Sequence, residues 1–177
     1  MKTRVLIALA VLSALAPAAA SAQVSFQGGV GTNLNGGGNS QSVAAGFWAG
    51  DRVGFLVGAE RIHLPTEVNT YENVSSATRG GTTTFISGEV RWLAFGSNRV
   101  SPYVLVGAGR GSSRPNVNDI FPDPVTNDAT VFFSGGGIQA PVTEHVSVFA
   151  DMRFMVHIER DSPYLFLPVR GGLAWRF

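Results

Sequence analysis

The stretch that most constrains this chain is its last, Tyr164 to Phe177, which reads YLFLPVRGGLAWRF. Leu165, Leu167, Val169, Gly171, Leu173, Trp175 and Phe177 form one alternate set, and it carries no polar side chain but the Trp175 indole. The other set, Tyr164, Phe166, Pro168, Arg170, Gly172, Ala174 and Arg176, holds both charges. A period of two over this length predicts a long β-strand with unlike faces, because a helix would group residues three and four apart.

The opposite end of the chain reads differently. Lys2 and Arg4 precede an apolar run from Val5 to Leu15, and Ala20-Ser21-Ala22 has the small-residue pattern of a cleavage site. The run is too short to span a bilayer as a helix, so residues 1–22 are expected to be a cleaved secretory signal peptide. Removing 22 of 177 residues leaves 155, enough for one domain, with a formal charge of −1 instead of +1 and with arginine as the only strong base. No basic cluster suits nucleic acid. The chain has no cysteine, so its stability does not come from disulfides. No later segment is apolar for long enough to be a transmembrane helix.

Eight extended segments are expected between Gln23 and Phe177: about 23–32, 42–49, 52–64, 81–95, 102–111, 129–140, 146–159 and 164–177. The seventh has the sharpest pattern. Val146, Val148, Ala150, Met152, Phe154, Val156 and Ile158 lie on one face, and Ser147, Asp151, Arg153, His157 and Glu159 on the other. Connections after the second, fourth and sixth segments are short: Gly50-Asp51, Gly96 to Arg99, and Pro141 to His145. Those after the first, third and fifth are longer and polar: Asn33 to Gln41, Pro65 to Gly80, and Ser112 to Asp128. Short turns on one side and longer loops on the other characterise a transmembrane β-barrel; the last connection, Arg160 to Pro163, breaks this contrast because it is short where a long one is expected. Facing and loop length must agree in a hairpin, which predicts the pairs Trp48 with Val53, Ala140 with Val146, and Glu159 with Tyr164. The last of these sets Arg153 opposite Arg170, with Asp151 on the diagonal.

Alternation alone does not say which face points inward, since a soluble barrel alternates too. Strand length and aromatic placement favour the membrane version. Trp48, Phe55, Trp92, Tyr103 and Trp175 all fall near a short turn or the C-terminus, where an interfacial aromatic girdle would sit. The apolar faces are therefore expected to meet lipid and the charged faces to fill the lumen.

These segments, the leader and the ending Leu173-Ala174-Trp175-Arg176-Phe177 resemble the small eight-stranded outer-membrane β-barrels of OmpA, OmpX and opacity type. The resemblance covers Gln23 to Phe177. It implies an all-β, antiparallel up-and-down barrel in the outer membrane, with periplasmic termini and short turns, extracellular long loops, and Phe177 as the signal read by the barrel-insertion machinery. Its implied partners are outer-membrane lipid and that machinery.

The inward set is expected to contain Gln27, Glu60, Glu89, Arg91, Asp151, Arg153, His157, Glu159, Arg170 and Arg176. Its structural interpretation is a paired polar core; the functional alternative is a narrow path for small solutes or ions. His157, Glu159, Asp161 and Ser162 could supply a hydrolytic triad, as in lipid A-modifying barrels. That reading is disfavoured because the histidine points inward and the serine lies in a loop. Asn118, Asp119, Asp123 and Asp128 could ligate calcium but lack EF-hand spacing. No cofactor, metal site or catalytic residue is assigned. The expected role is non-enzymatic, structural in the envelope or interactive through loops whose polar composition names no ligand.

Overall fold

The structure is a computed structural model that describes residues 23–71, 74–78, 80–117, 126–158 and 163–177. Eleven strands occur among these residues, with no helix: β1 (Gln23–Asn33), β2 (Asn39–Ala49), β3 (Val53–Leu64), β4 (Glu67–Tyr71), β5 (Val74–Thr78), β6 (Gly81–Leu93), β7 (Ser101–Pro115), β8 (Asn127–Pro141), β9 (Val146–Ile158), β10 (Pro163–Phe166) and β11 (Pro168–Arg176). β10 and β11 together make one interrupted strand beside β9, which gives an eight-stranded antiparallel sheet. β1 pairs with β11, β9 pairs with β8, and the sheet closes into a barrel. Closure removes the edge strands of the barrel sheet.

The closing strand breaks at Leu167, just before a proline that has no N–H to donate. Asparagine side chains from the β1 end repair the gap. The Leu167 N–H donates to Asn33 Oδ1 and to Asn35 Oδ1, both at 2.8 Å, and Leu34 N donates to Leu167 O at 3.0 Å. At the other end of this seam, Phe177 N donates to Val24 O at 2.9 Å.

The expected segments match the eight barrel strands, with four differences in detail. First, strands run further into the long connections: β2 begins at Asn39, and β7 extends to Pro115. Second, the 65–80 connection, expected to be a loop, contains the β4–β5 hairpin. Its β-branched residues Val68, Thr70 and Val74 favour extended pairing despite the surrounding Asn and Ser.

Third, the turn after β2 has three residues, because Ala49 pairs with Val53 and Trp48 with Gly54, not with Val53. Gly50 permits this turn by taking φ +68°. A one-residue change reverses the facing. Trp48 therefore points into the lumen, fully buried, and is not part of a lipid-facing girdle. Tyr103 is also inward, at 3% exposure, because β7 sets it opposite the inward Leu93 and its hydroxyl has a buried carboxylate to meet. Phe55, Trp92 and Trp175 do face outward, and Phe26, Phe47 and Phe177 join them: Phe47 stacks on Phe55 and Trp175 on Phe177.

Fourth, the last two hairpins keep the expected facing but shift by two residues. Ala140 pairs with Val148, and Tyr164 pairs with His157. Arg170 consequently lies directly opposite Asp151 instead of Arg153. Like charges directly opposite one another repel, whereas the observed register sets opposite charges face to face.

On β9 and the closing strand the outward positions are the apolar sets expected, including Val148, Met152, Phe154 and Val156 on β9 and Leu165, Leu173 and Trp175 on the closing strand. The inward positions are less uniformly polar than expected. Ile62, Phe85, Val131, Phe133, Phe149, Met155 and Phe166 are buried inside and pack in one cluster with Trp48, Leu93 and Tyr103. Glycine on facing strands makes room for the largest rings. A Cβ on Gly172 would come within 2.8 Å of Phe149 Cζ, and one on Gly107 would collide with the Phe133 ring.

Candidate functional site

Strand alternation alone delivers the charged residues to the lumen, because Glu60, Glu89, Arg91, Asp151, Arg153 and Arg170 all occupy inward positions on β3, β6, β9 and β11. All six belong to one connected network. Arg170 grips Asp151 with two bonds, Nε to Oδ1 and Nη2 to Oδ2, each 2.9 Å, and sends Nη1 to Glu60 Oε2 at 2.9 Å. Arg153 reaches Glu89 Oε2 at 2.6 Å, Asp151 Oδ1 at 3.4 Å and Glu60 Oε2 at 3.8 Å. Glu89 also accepts from Arg91, whose Nη2 lies 2.7 Å from Oε1. Tyr103 donates its hydroxyl to Asp151 Oδ2 at 3.0 Å. Three guanidinium and three carboxylate groups make the network formally neutral.

The side chains of these six are at most 8% exposed. Taking such charges out of water is costly unless each is paired and hydrogen-bonded. The aromatic residues missing from the sequence-based lumen set contribute here. The Arg91 guanidinium lies 4.5 Å from the Tyr103 ring centroid, and that of Arg153 lies 5.0 Å from Phe133. A space beside the network, bordered by Gln27, Glu60, Glu89, Arg91 and Arg170, is about 20 Å³, room for roughly one water.

His157 does not join this network. It is buried between Phe85 and Phe166, at ring distances of 5.7 and 4.4 Å. Arg176 is also separate, buried with its guanidinium 3.7 Å from the Trp48 ring centroid, while Trp48 Nε1 donates to Ser25 Oγ at 3.1 Å. The remaining triad candidates, Glu159, Asp161 and Ser162, lie outside the described residues, as do Asn118, Asp119 and Asp123 of the calcium reading and residues 1–22. His63 bonds Thr82 Oγ1 at 3.0 Å, and His145 bonds the Arg176 carbonyl at 3.1 Å. Among the described residues, no group of three or more His, Cys, Asp or Glu side chains could hold a metal ion.

The outer membrane protein beta-barrel domain family matches this chain over residues 5–177. Comparison with curated protein sequences finds no match. Several solved structures share the fold. Neisserial surface protein A is 13% identical, with a TM-score of 0.63 over 88% of this chain and 96% of its own. The N-terminal β-barrel domain of Pseudomonas aeruginosa OprF is 15% identical, with a TM-score of 0.59 over 88% and 97%. Ail, the attachment invasion locus protein of Yersinia pestis, solved with the heparin analogue sucrose octasulfate, is 15% identical, with a TM-score of 0.52 over 88% and 98%. At these identities the likeness is one of fold.

Proposed function

This chain belongs to the outer membrane protein β-barrel family, and from that premise we propose that it is a closed, non-enzymatic barrel that serves the envelope through its outer surface and loops. In this proposal residues 1–22 are removed on export, both termini and the short turns are periplasmic, and the long connections are extracellular. Phe177 serves as the signal for the insertion machinery.

One observation carries the proposal: the lumen is crossed by six paired charges backed by aromatic rings, with space for about one water beside them. An ion would have to break several buried charge-assisted bonds to pass. The network therefore works as a structural plug that holds β3, β6, β9 and β11 together across the barrel.

Planar-bilayer conductance of the wild type and of the Asp151→Asn/Arg170→Gln double variant tests this, with urea unfolding of both in parallel. The expected wild type is silent, and the double variant is less stable. A conducting wild type, or a double variant of unchanged stability with altered conductance, would establish the narrow channel instead. Lipid extracted from cells with and without the protein should have identical acylation; a difference would establish the lipid-modifying alternative.

A further inference from the structure

The lipid-facing wall of this barrel is taller on one side than on the other. On β9 the outward residues stay apolar from Val146 to Ile158, roughly 40 Å along the strand. On β3 the outward run of Val53, Phe55, Val57 and Ala59 covers roughly 20 Å and then meets Arg61 and His63. On β7 the run from Pro102 to Ala108 ends at Arg110, with Arg114 beyond it. Between these strands β6 presents Thr82 and Thr84.

The register brings the arginines together. Arg61 pairs with Thr84 and Thr84 with Ser112; Arg110 lies opposite Ile86 and Arg114 opposite Thr82. Two strand spacings separate β3 from β7, so the Arg61 Cα lies roughly 12 Å from those of both Arg110 and Arg114. All three side chains are exposed, and none is ion-paired among the described residues. No Asp or Glu occupies an outward position on β1, β2, β3, β6 or β7, and Asp128 of β8 lies opposite Ser112.

A second feature lies directly beneath. Small outward residues hollow this wall into a furrow. Its upper part, about 540 Å³, is lined by Val30, Val43 and Ala59, with Gln41, Arg61 and Thr84 at its head. Val43 and Ala59 also line a lower part of about 530 Å³ that continues past Ala45 and Val57 to Phe26.

We propose that this wall is a specific binding site for a phosphorylated lipid of the outer leaflet. One acyl chain lies in the furrow, and the headgroup phosphate meets Arg61, with Arg110 and Arg114 on its flank. The inference rests on the membrane-barrel reading with the long connections outward. Guanidinium groups bind phosphate through paired, charge-assisted hydrogen bonds, and the Thr84 and Ser112 hydroxyls add donors. A short apolar wall also draws the headgroup plane down toward the arginines.

The test is refolding into vesicles of equal parts phosphatidylcholine and a phosphorylated glucosamine-based lipid, gentle extraction, and native mass spectrometry of the retained lipid. The wild type should retain the phosphorylated lipid. Arg61→Gln/Arg110→Gln should lower retention about tenfold or more, and Ala59→Leu, which fills the furrow with the arginines intact, should lower it too. Arg52→Gln, in a periplasmic turn, should change nothing. Equal retention by the double arginine variant, equal retention of phosphatidylcholine, or displacement by inorganic phosphate with no effect of Ala59→Leu would each overturn the site. Heat-modifiable gel mobility, run on every sample, separates these outcomes from failure of the barrel reading, which would show as no folded band in the wild type.

Discussion

Replacing Arg170 by methionine keeps much of the side chain's length and removes its charge. The substitution deletes three bonds of 2.9 Å, two to Asp151 and one to Glu60. Asp151 keeps the Tyr103 hydroxyl at 3.0 Å and Arg153 Nε at 3.4 Å, whereas Glu60 is left with Arg153 Nη1 at 3.8 Å. The network passes from neutral to one negative charge in excess, inside a lumen where Arg170 is 3% exposed and Asp151 fully buried. Removing one partner of a buried ion pair costs about 3–5 kcal/mol, mostly through the charge left behind. That corresponds to a factor of about 100 or more in the folded-to-unfolded ratio. Adding Glu60→Gln restores neutrality and should recover a large part of the loss, so the double variant is expected to be more stable than Arg170→Met alone. Urea unfolding from lipid vesicles, followed by tryptophan fluorescence and extrapolated linearly, measures both. A loss under about 1 kcal/mol for Arg170→Met, or a double variant no better than the single one, would refute the charge-balance reasoning.

Three further outcomes are expected. Among single-tryptophan variants in vesicles of brominated lipid, Trp92 and Trp175 fluorescence should be quenched and Trp48 spared; quenching of Trp48 would contradict its inward facing. Gly107→Ala forces a methyl group against the Phe133 ring and should cost about 1–3 kcal/mol in the same unfolding assay, with partial recovery in Gly107→Ala/Phe133→Leu. Deleting Phe177 should slow assembly of the barrel in cells, read as loss of heat-modifiable material, while refolding into vesicles proceeds as in the wild type.

The architecture was legible in the sequence because alternation survives small errors. In β9 and the closing strand, the expected pairing was off by two residues, and a shift of two leaves every side chain on its proper face. Partner identity does not survive such a shift, so turn length alone sets Arg170 opposite Arg153, where the structure sets it opposite Asp151. The correct register had left a trace, since two guanidiniums directly opposite each other are unfavourable and moving by two residues turns repulsion into attraction. The facing of Trp48 is hidden for another reason. It sits in a strand of Ala and Gly residues whose two faces look alike, so the facing rested on turn length alone, and the turn has one more residue than Gly50-Asp51. Phe149 and Phe133 occupy inward positions that polarity does not mark. Their signal was the glycine at Gly172 and Gly107 on the facing strands.

The seam between β1 and β11 brings together the two ends of the described chain, with Phe177 N bonded to Val24 O and the pair in register from Ser25 to Asn33. The cylinder is thus a ring of strand neighbours in which this junction differs from the others mainly in lacking a covalent link. A short peptide joining Phe177 to Gln23, with new termini cut into one of the long connections, should still yield the same wall, the same plug and the same furrow. Linear order then determines when each strand arrives, while the shape belongs to the cycle.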